Sequence, residues 1–258
     1  MNVKKLSSLL SAGVLALTLS TPSLGAELRI GVEGAYPPFS WKKADGTLTG
    51  FDIDIAMVLC EEMGRKCTLV EQDWDGMIPA LMARKFDAIV ASMSITEERK
   101  KRVNFSVKYY NTPARLVAKK DSGLSDTAQA LAGQRVGVQR STTHQCYVEK
   151  AFPEAELVLY TTQEEVFQDL AAGRLDAQMS DSLQAIGSFL SKPEGQGFAF
   201  LGGDHNDQQC HGEGAGVAVR KADNELLEAL NKAIETIRAN GIYKTINDKY
   251  FDIDIYGG

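Results

Sequence analysis

Residues 81–94 read LMARKFDAIVASMS and residues 170–182 read LAAGRLDAQMSDS. Each stretch runs from a helix end through an Asp-Ala pair into a short buried strand, then opens into small polar groups. A second pair keeps the same order: RIGVEGAYPPF (29–39) and RVGVQRSTTHQ (135–145) are each a basic residue, a short apolar-Gly-Val strand and a polar or Gly-rich loop. One order used twice is most economically two α/β lobes of similar build. The helices between have the matching period. Ile55, Val58, Leu59 and Met63 share a face, as do Leu226, Leu230, Ala233 and Ile237, with Asp223 as N-cap and Gly241 as stop. Val166, Phe167 and Leu170 form a shorter stripe ending at Gly173. Strands alternating with helices predict mostly parallel sheets covered on both faces, with ligands bound outside the carboxyl ends of the strands. The hydroxyl cluster at 92–96 falls at such an end. After a strand over 86–91, Thr96 is the expected N-cap, Glu97 and Glu98 suit the first helical turn, and Arg99 follows.

The chain has 258 residues and a net charge of −6, its basic residues scattered rather than striped, which argues against nucleic acid as a partner. MNVKK, then the apolar LSSLLSAGVLALTLS, then TPSLGAE read as a secretory signal peptide over 1–25, cleaved after Gly25 or Ala26. The first cysteine is Cys60, so nothing marks the junction for a lipid anchor, and a periplasmic location follows. No later apolar run reaches the ~18 residues of a membrane span.

Four cysteines in an oxidising compartment suggest disulfides before metals. Cys60 and Cys67 flank EEMGRK, a helix end with Gly64 as its stop, and are expected to pair. Cys146 and Cys210 are the remaining two, and His144, His205 and His211 all lie near them. A second disulfide, free thiols and a zinc site all stay open, although the spacings match no standard zinc pattern.

GFDIDIAMVLCEEM, DAIVASMSITEER, GVQRSTTHQ, AAGRLDAQMSD and NGIYKTINDKYFD occur in that order. Together they resemble the periplasmic polar amino-acid binding proteins of ABC importers, the family of lysine/arginine/ornithine, histidine and arginine receptors. The resemblance spans the mature chain. It implies the type II periplasmic binding protein fold, with two α/β lobes joined by a two-segment hinge. Lobe 1 would comprise 26–111 and 215–258, and lobe 2 would comprise 114–208. It also implies a monomer without cofactor or metal, whose partners are an amino-acid ligand and the membrane permease of an importer.

Residue by residue, the resemblance gives Arg99 the ligand α-carboxylate, since a guanidinium offers two parallel donors that match it. The helix N-terminus at Thr142 and Thr143 adds amide or hydroxyl contacts. Asp181 takes the α-ammonium, and Ser92 and Ser94 contribute hydroxyls. Glu33, Tyr36 and Trp74 form the side-chain pocket, where two aromatic faces sandwich a long cation and one carboxylate neutralises its end. Three positions depart from the lysine/arginine/ornithine pattern: Ala91 stands where a serine is common, Glu33 is longer than an aspartate, and Gln139 replaces an apolar residue. Glu33 together with GVQ and TTHQ resembles the arginine-selective receptors, where a longer acid pairs a guanidinium, and that resemblance makes L-arginine the expected ligand, with ornithine, lysine, histidine or an arginine-derived opine behind it. The rival classes are an exported dehydratase on the same scaffold, with Glu33 as its acid, and a sensory ectodomain. No GxSxG, P-loop or His-rich metal signature supports other chemistry, and GEGAG at 212–216 lacks the spacing of a nucleotide loop.

Overall fold

The structure, a computed structural model, describes residues 27–257, so the signal peptide expected over 1–25 lies outside the described residues. In chain order the strands are β1 (Leu28–Val32), β2 (Ala35–Tyr36), β3 (Ser40–Lys42), β4 (Leu48–Thr49), β5 (Cys67–Glu71), β6 (Ala88–Ile89), β7 (Val103–Tyr110), β8 (Ala114–Lys119), β9 (Arg135–Gln139), β10 (Glu156–Tyr160), β11 (Ala177–Asp181), β12 (Phe198–His205) and β13 (Ala215–Arg220). The helices are α1 (Phe51–Glu62), α2 (Met77–Met82), α3 (Glu97–Lys100), α4 (Ala128–Leu131), α5 (Thr143–Ala151), α6 (Gln163–Ala171), α7 (Ser182–Ala185), α8 (Gln208–His211), α9 (Asn224–Ala239) and α10 (Ile242–Tyr250). None of the described helices is long and apolar enough to cross a membrane.

Two five-stranded sheets, ordered β5-β1-β6-β13-β7 and β10-β9-β11-β8-β12, form the two lobes, and β2, β3 and β4 make a small antiparallel sheet beside the first. In each large sheet three strands run parallel and the remaining pairings are antiparallel. The parallel prediction therefore holds for half of each sheet. Parallel strands end at the cleft. A strand that enters a sheet from the other lobe begins at the cleft, so β8 and β13 must run against their neighbours.

The repeated sequence theme has one physical content in both lobes. Arg29 sends its backbone amide, Nε and Nη2 to Asp87 at 3.1, 3.2 and 3.1 Å, and Arg135 sends the same three groups to Asp176 at 2.9, 3.0 and 2.8 Å. The basic residue opening one strand thus grips the aspartate of the next Asp-Ala, fixing their register. The glycine two residues on leaves room for a core side chain: a Cβ at Gly31 would lie 2.6 Å from the Phe86 ring, and one at Gly137 2.3 Å from Leu175.

Local signals mostly do what they predict. The Thr96 side chain accepts from the Arg99 amide, Gly64 and Gly173 adopt positive φ where helices stop, and the stripe of α9 is buried at Leu230, Ala233 and Ile237. Asp223 differs. It precedes α9 without capping it, because its carboxylate instead pairs with Arg220 at 2.7 Å. Cys60 and Cys67 form a disulfide joining α1 to β5, and Cys146 and Cys210 form a second joining α5 to α8, which closes the open alternatives in favour of pairing. Among the described residues no group of three or more His, Cys, Asp or Glu could hold a metal ion.

The lobe 1 core centres on Phe51, fully buried, edge-on to Phe39, Tyr110, Tyr243 and Phe251 with ring centroids 5.5 to 6.2 Å away. Truncation there removes a large apolar group at a site ringed by rigid neighbours. Phe51→Ala is expected to lower unfolding free energy by about 3–5 kcal/mol in urea denaturation. A loss below ~1 kcal/mol, the size of a surface change, contradicts this account of the core.

Candidate ligand-binding site

The carboxyl ends of the parallel strands from both sheets meet across a cleft with about 780 Å³ of atom-free space, part of it open to solvent. All eleven residues singled out from the sequence line it: Glu33, Tyr36, Trp74, Ala91, Ser92, Ser94, Arg99, Gln139, Thr142, Thr143 and Asp181. Their placement follows from topology. Glu33 follows β1, Trp74 follows β5, Ala91 to Ser94 follow β6, Gln139 closes β9 and Asp181 closes β11.

Arg99 lies half-buried, its guanidinium donating to the Ser94 carbonyl at 3.0 Å and the Ser141 carbonyl at 3.3 Å, 5.1 Å over the Trp74 ring. Among the described residues no carboxylate pairs with it, and burial brings its pKa down to about 10. Across the cleft the acids are in the opposite condition. Burial pushes the Glu33 carboxyl up to about 7, even though Gln139 Nε2 donates to it at 2.6 Å. Burial likewise pushes Asp181 up to about 6, against donation from the Thr112 hydroxyl and from the Leu183 and Gln184 amides at 2.9 and 3.1 Å. Asp181 therefore caps α7 and lines the cleft at once.

Each pocket ring is anchored within its own surroundings. Tyr36 stacks on Phe39 at 6.0 Å, with burial holding its hydroxyl well above the usual range, and Trp74 donates from Nε1 to the Ser141 carbonyl at 3.2 Å. The Thr142 hydroxyl donates to the Gln139 carbonyl at 2.6 Å and accepts from the Gln145 amide at 3.2 Å, so it caps α5 rather than reaching for a ligand. The amides of Thr143 and His144 have no partner among the described residues, which leaves the start of α5 free to receive an anion.

Several cleft residues were not singled out from the sequence. Tyr110, Asn111, Thr112, Ala114, His144, Asn206, His211, Gly212, Gly214 and Ala215 complete the lining. Ser141 holds the lobes together through its carbonyl, beside a salt bridge between Arg140 and Asp75 at 2.6 Å and a Ser188 hydroxyl donating to the Pro37 carbonyl at 2.7 Å. Asp52 sits behind the wall, wholly buried, accepting from the Ser92 hydroxyl and the Tyr109 hydroxyl, each at 2.9 Å. Its signal was present: an acid placed with Ile55, Ala56 and Leu59 on the buried face of α1. The Ser92 hydroxyl is thus committed to Asp52.

Two α/β sheets of the same strand order enclosing a polar cleft at their strand ends are the architecture of a type II periplasmic binding protein. The chain belongs to the bacterial extracellular solute-binding proteins, family 3, whose sequence profile matches residues 28–253. It is 50% identical over 260 residues to the L-arginine-binding protein of Pseudomonas aeruginosa, covering 99% of this chain and 99% of that protein. It is 43% identical to the histidine-binding periplasmic protein of Salmonella typhimurium, covering 99% of this chain and 100% of that protein. Among solved structures, a Salmonella typhimurium periplasmic binding protein described for high arginine specificity is similar with a TM-score of 0.81 and 34% identity, covering 87% of this chain and 99% of that one.

Burial of Asp52 yields a pH test. Its pKa is raised to about 7, so the folded state holds a proton that the unfolded chain releases near 4. The stability this contributes is complete below the unfolded value and lost as pH rises through the folded one, at up to ~1.4 kcal/mol per pH unit. Asp52→Asn carries no such proton, so urea denaturation should show the variant gaining on wild type between pH 5 and pH 8. A stability difference that stays constant over that range would mean that Asp52 is already ionised at pH 5.

Proposed function

We propose that the protein is a periplasmic receptor that captures a basic L-amino acid, L-arginine first, and delivers it to the membrane permease of an ABC importer. The observation that carries this reading is the charge balance of the cleft: two carboxyl groups, Glu33 and Asp181, face one guanidinium, Arg99. A neutral zwitterion would leave a carboxylate unanswered. An amino acid with a cationic side chain answers all three groups, its α-carboxylate on Arg99 and the start of α5, its α-ammonium on Asp181 and its far end on Glu33 between Tyr36 and Trp74. The names of the relatives, arginine and histidine binders, support a basic ligand and a periplasmic location. Ornithine, lysine, histidine and an arginine-derived opine present related charges and stand behind arginine.

In this reading residues 1–25 are a cleaved signal peptide and the receptor works as a monomer without nucleic acid, cofactor or metal. Segments 26–111 and 215–258 move as one lobe and 114–208 as the other. A second reading rests on one observation, the Glu33 carboxyl near 7, which is the property of a general acid in a dehydratase. The receptor reading accounts for it differently. Burial without a cation raises the Glu33 carboxyl to about 7, and a ligand guanidinium brings it back down. Product formation on incubation with an amino-acid precursor favours the enzyme, and stoichiometric uptake without turnover favours the receptor.

Calorimetric titration of L-arginine and its uncharged analogue citrulline separates the two ends of the site. Glu33→Gln keeps size and removes charge, so arginine affinity should fall by roughly ten- to 150-fold, the worth of a charged hydrogen bond, while citrulline is nearly unaffected. Arg99→Ala should weaken both ligands alike, by about 3–5 kcal/mol, because both carry the α-carboxylate. Equal losses for the two ligands in Glu33→Gln would remove Glu33 as the side-chain counter-ion.

A further inference from the structure

The disulfide between Cys146 and Cys210 joins two pieces of the cleft wall. Helix α5 carries Cys146, and Thr142, Thr143 and His144 at its start line the cleft. Helix α8 carries Cys210 and lies on the second crossing between the lobes, where Asn206, His211, Gly212 and Gly214 also line it. Other contacts hold this crossing to lobe 2. Lys150 donates to Asp207 at 2.7 Å and to Gln209 at 2.8 Å, and the Tyr147 hydroxyl and His205 Nδ1 are 3.0 Å apart. The His211 ring packs between Tyr147, 5.0 Å away, and His144, 6.1 Å away.

One residue further on, the chain changes allegiance. The Gly212 amide still donates to Gln208 of α8, at 3.1 Å. The next amide, Glu213, donates to Ile95 of lobe 1 at 3.1 Å, and the Ile95 amide returns a bond to Gly214 at 2.8 Å. Consecutive amides thus belong to different lobes, and the Gly212 torsions lie between them. Gly212 has φ 73° and ψ −147°, a conformation open to glycine but strained for other residues, and a Cβ there would sit 2.0 Å from the Ile95 carbonyl oxygen.

We propose that the Cys146–Cys210 disulfide is a positioning element of the ligand site: it makes α8 part of lobe 2, sets Gly212 as the pivot of the second crossing, and fixes the start of α5 against the hinge side of the cleft. This rests on the cleft being the ligand site. Without the bond, α8 is held by exposed lysine contacts and ring packing alone, so rotation at the crossing spreads over 207–212 and the closed state loses definition. The cost then falls on ligand retention rather than on encounter. Cys60–Cys67 is the internal control, because it joins α1 to β5 within lobe 1 and neither of those elements contributes a residue to the cleft, whereas α5 and α8 both do.

The test compares Cys146→Ala/Cys210→Ala with Cys60→Ala/Cys67→Ala. Hydrogen exchange on ligand-free protein should show protection lost at the bonded amides of 145–146 and 210–212 in the first variant and retained there in the second. Stopped-flow binding of L-arginine should show dissociation quickened about two- to thirtyfold in the first, the size of coupling carried by residues that do not touch a ligand, with association unchanged within about twofold. The control should lose melting temperature and leave both rate constants unchanged. If the first variant does not fold, wild-type protein opened at Cys146–Cys210 by a phosphine under native conditions, with the opened pair read by alkylation and mass spectrometry, takes its place. Unchanged exchange at 210–212 with the bond open, or the same dissociation change in both variants, overturns the proposal. If wild type takes up no arginine, the functional reading falls, and the exchange result alone decides the role of the disulfide.

Discussion

Around the cleft three carboxyl groups face one guanidinium, and burial acts on all four. Glu33 and Asp181 line the cleft, Asp52 stands behind it, and Arg99 faces them without an acid of its own. A buried unpaired charge is costly, and burial raises the carboxyl pKa values to about 7, 7 and 6 for Glu33, Asp52 and Asp181. In the proposed reading a ligand of the right charge pattern relieves this electrostatic demand. Asp52 has a different part from the other two. Tied to Ser92 and Tyr109, it shapes the serine loop from behind rather than meeting a ligand.

The fold creates this situation by bringing two strand edges face to face. Each lobe sets its parallel strands so that they end at the cleft, and the loops leaving those ends carry the polar groups. Among the described residues two chain segments cross between the lobes, 111–113 and 206–214, and both border the cleft. Direct lobe-to-lobe contacts, Gln139 to Glu33, Trp74 and Arg99 to Ser141, and Arg140 to Asp75, lie along the cleft.

Much of this was legible in the sequence because it is local. The doubled order of strand, Asp-Ala and hydroxyl cluster reflects an Arg-to-Asp grip that recurs in each lobe, and a strand end followed by small polar residues marks a cleft edge wherever it occurs. Caps and stops such as Thr96, Gly64 and Gly173 are likewise decided by neighbours in the chain. What escaped was decided across space. Nothing near Asp223 announces that Arg220 will claim its carboxylate, and nothing near Ser141 announces that its carbonyl will accept from Trp74 and Arg99 of the other lobe. The antiparallel course of β8 and β13 depends on which lobe the chain has just left. The pairing of Cys146 with Cys210, 64 residues apart, needed the packing of α5 on α8. Gln139 was legible as a departure from a pattern, while its bond to Glu33 was not.

The central claim is an orientation: the α-groups of a basic amino acid at Arg99 and Asp181, its cationic end at Glu33. A crystal structure of the protein grown with L-arginine tests it most directly. The account predicts one arginine in the cleft, its carboxylate on the Arg99 guanidinium, and its guanidinium between Tyr36 and Trp74 within hydrogen-bond reach of Glu33. A reversed ligand, with its α-ammonium on Glu33 and its guanidinium on Asp181, or an arginine bound outside the cleft, would contradict it.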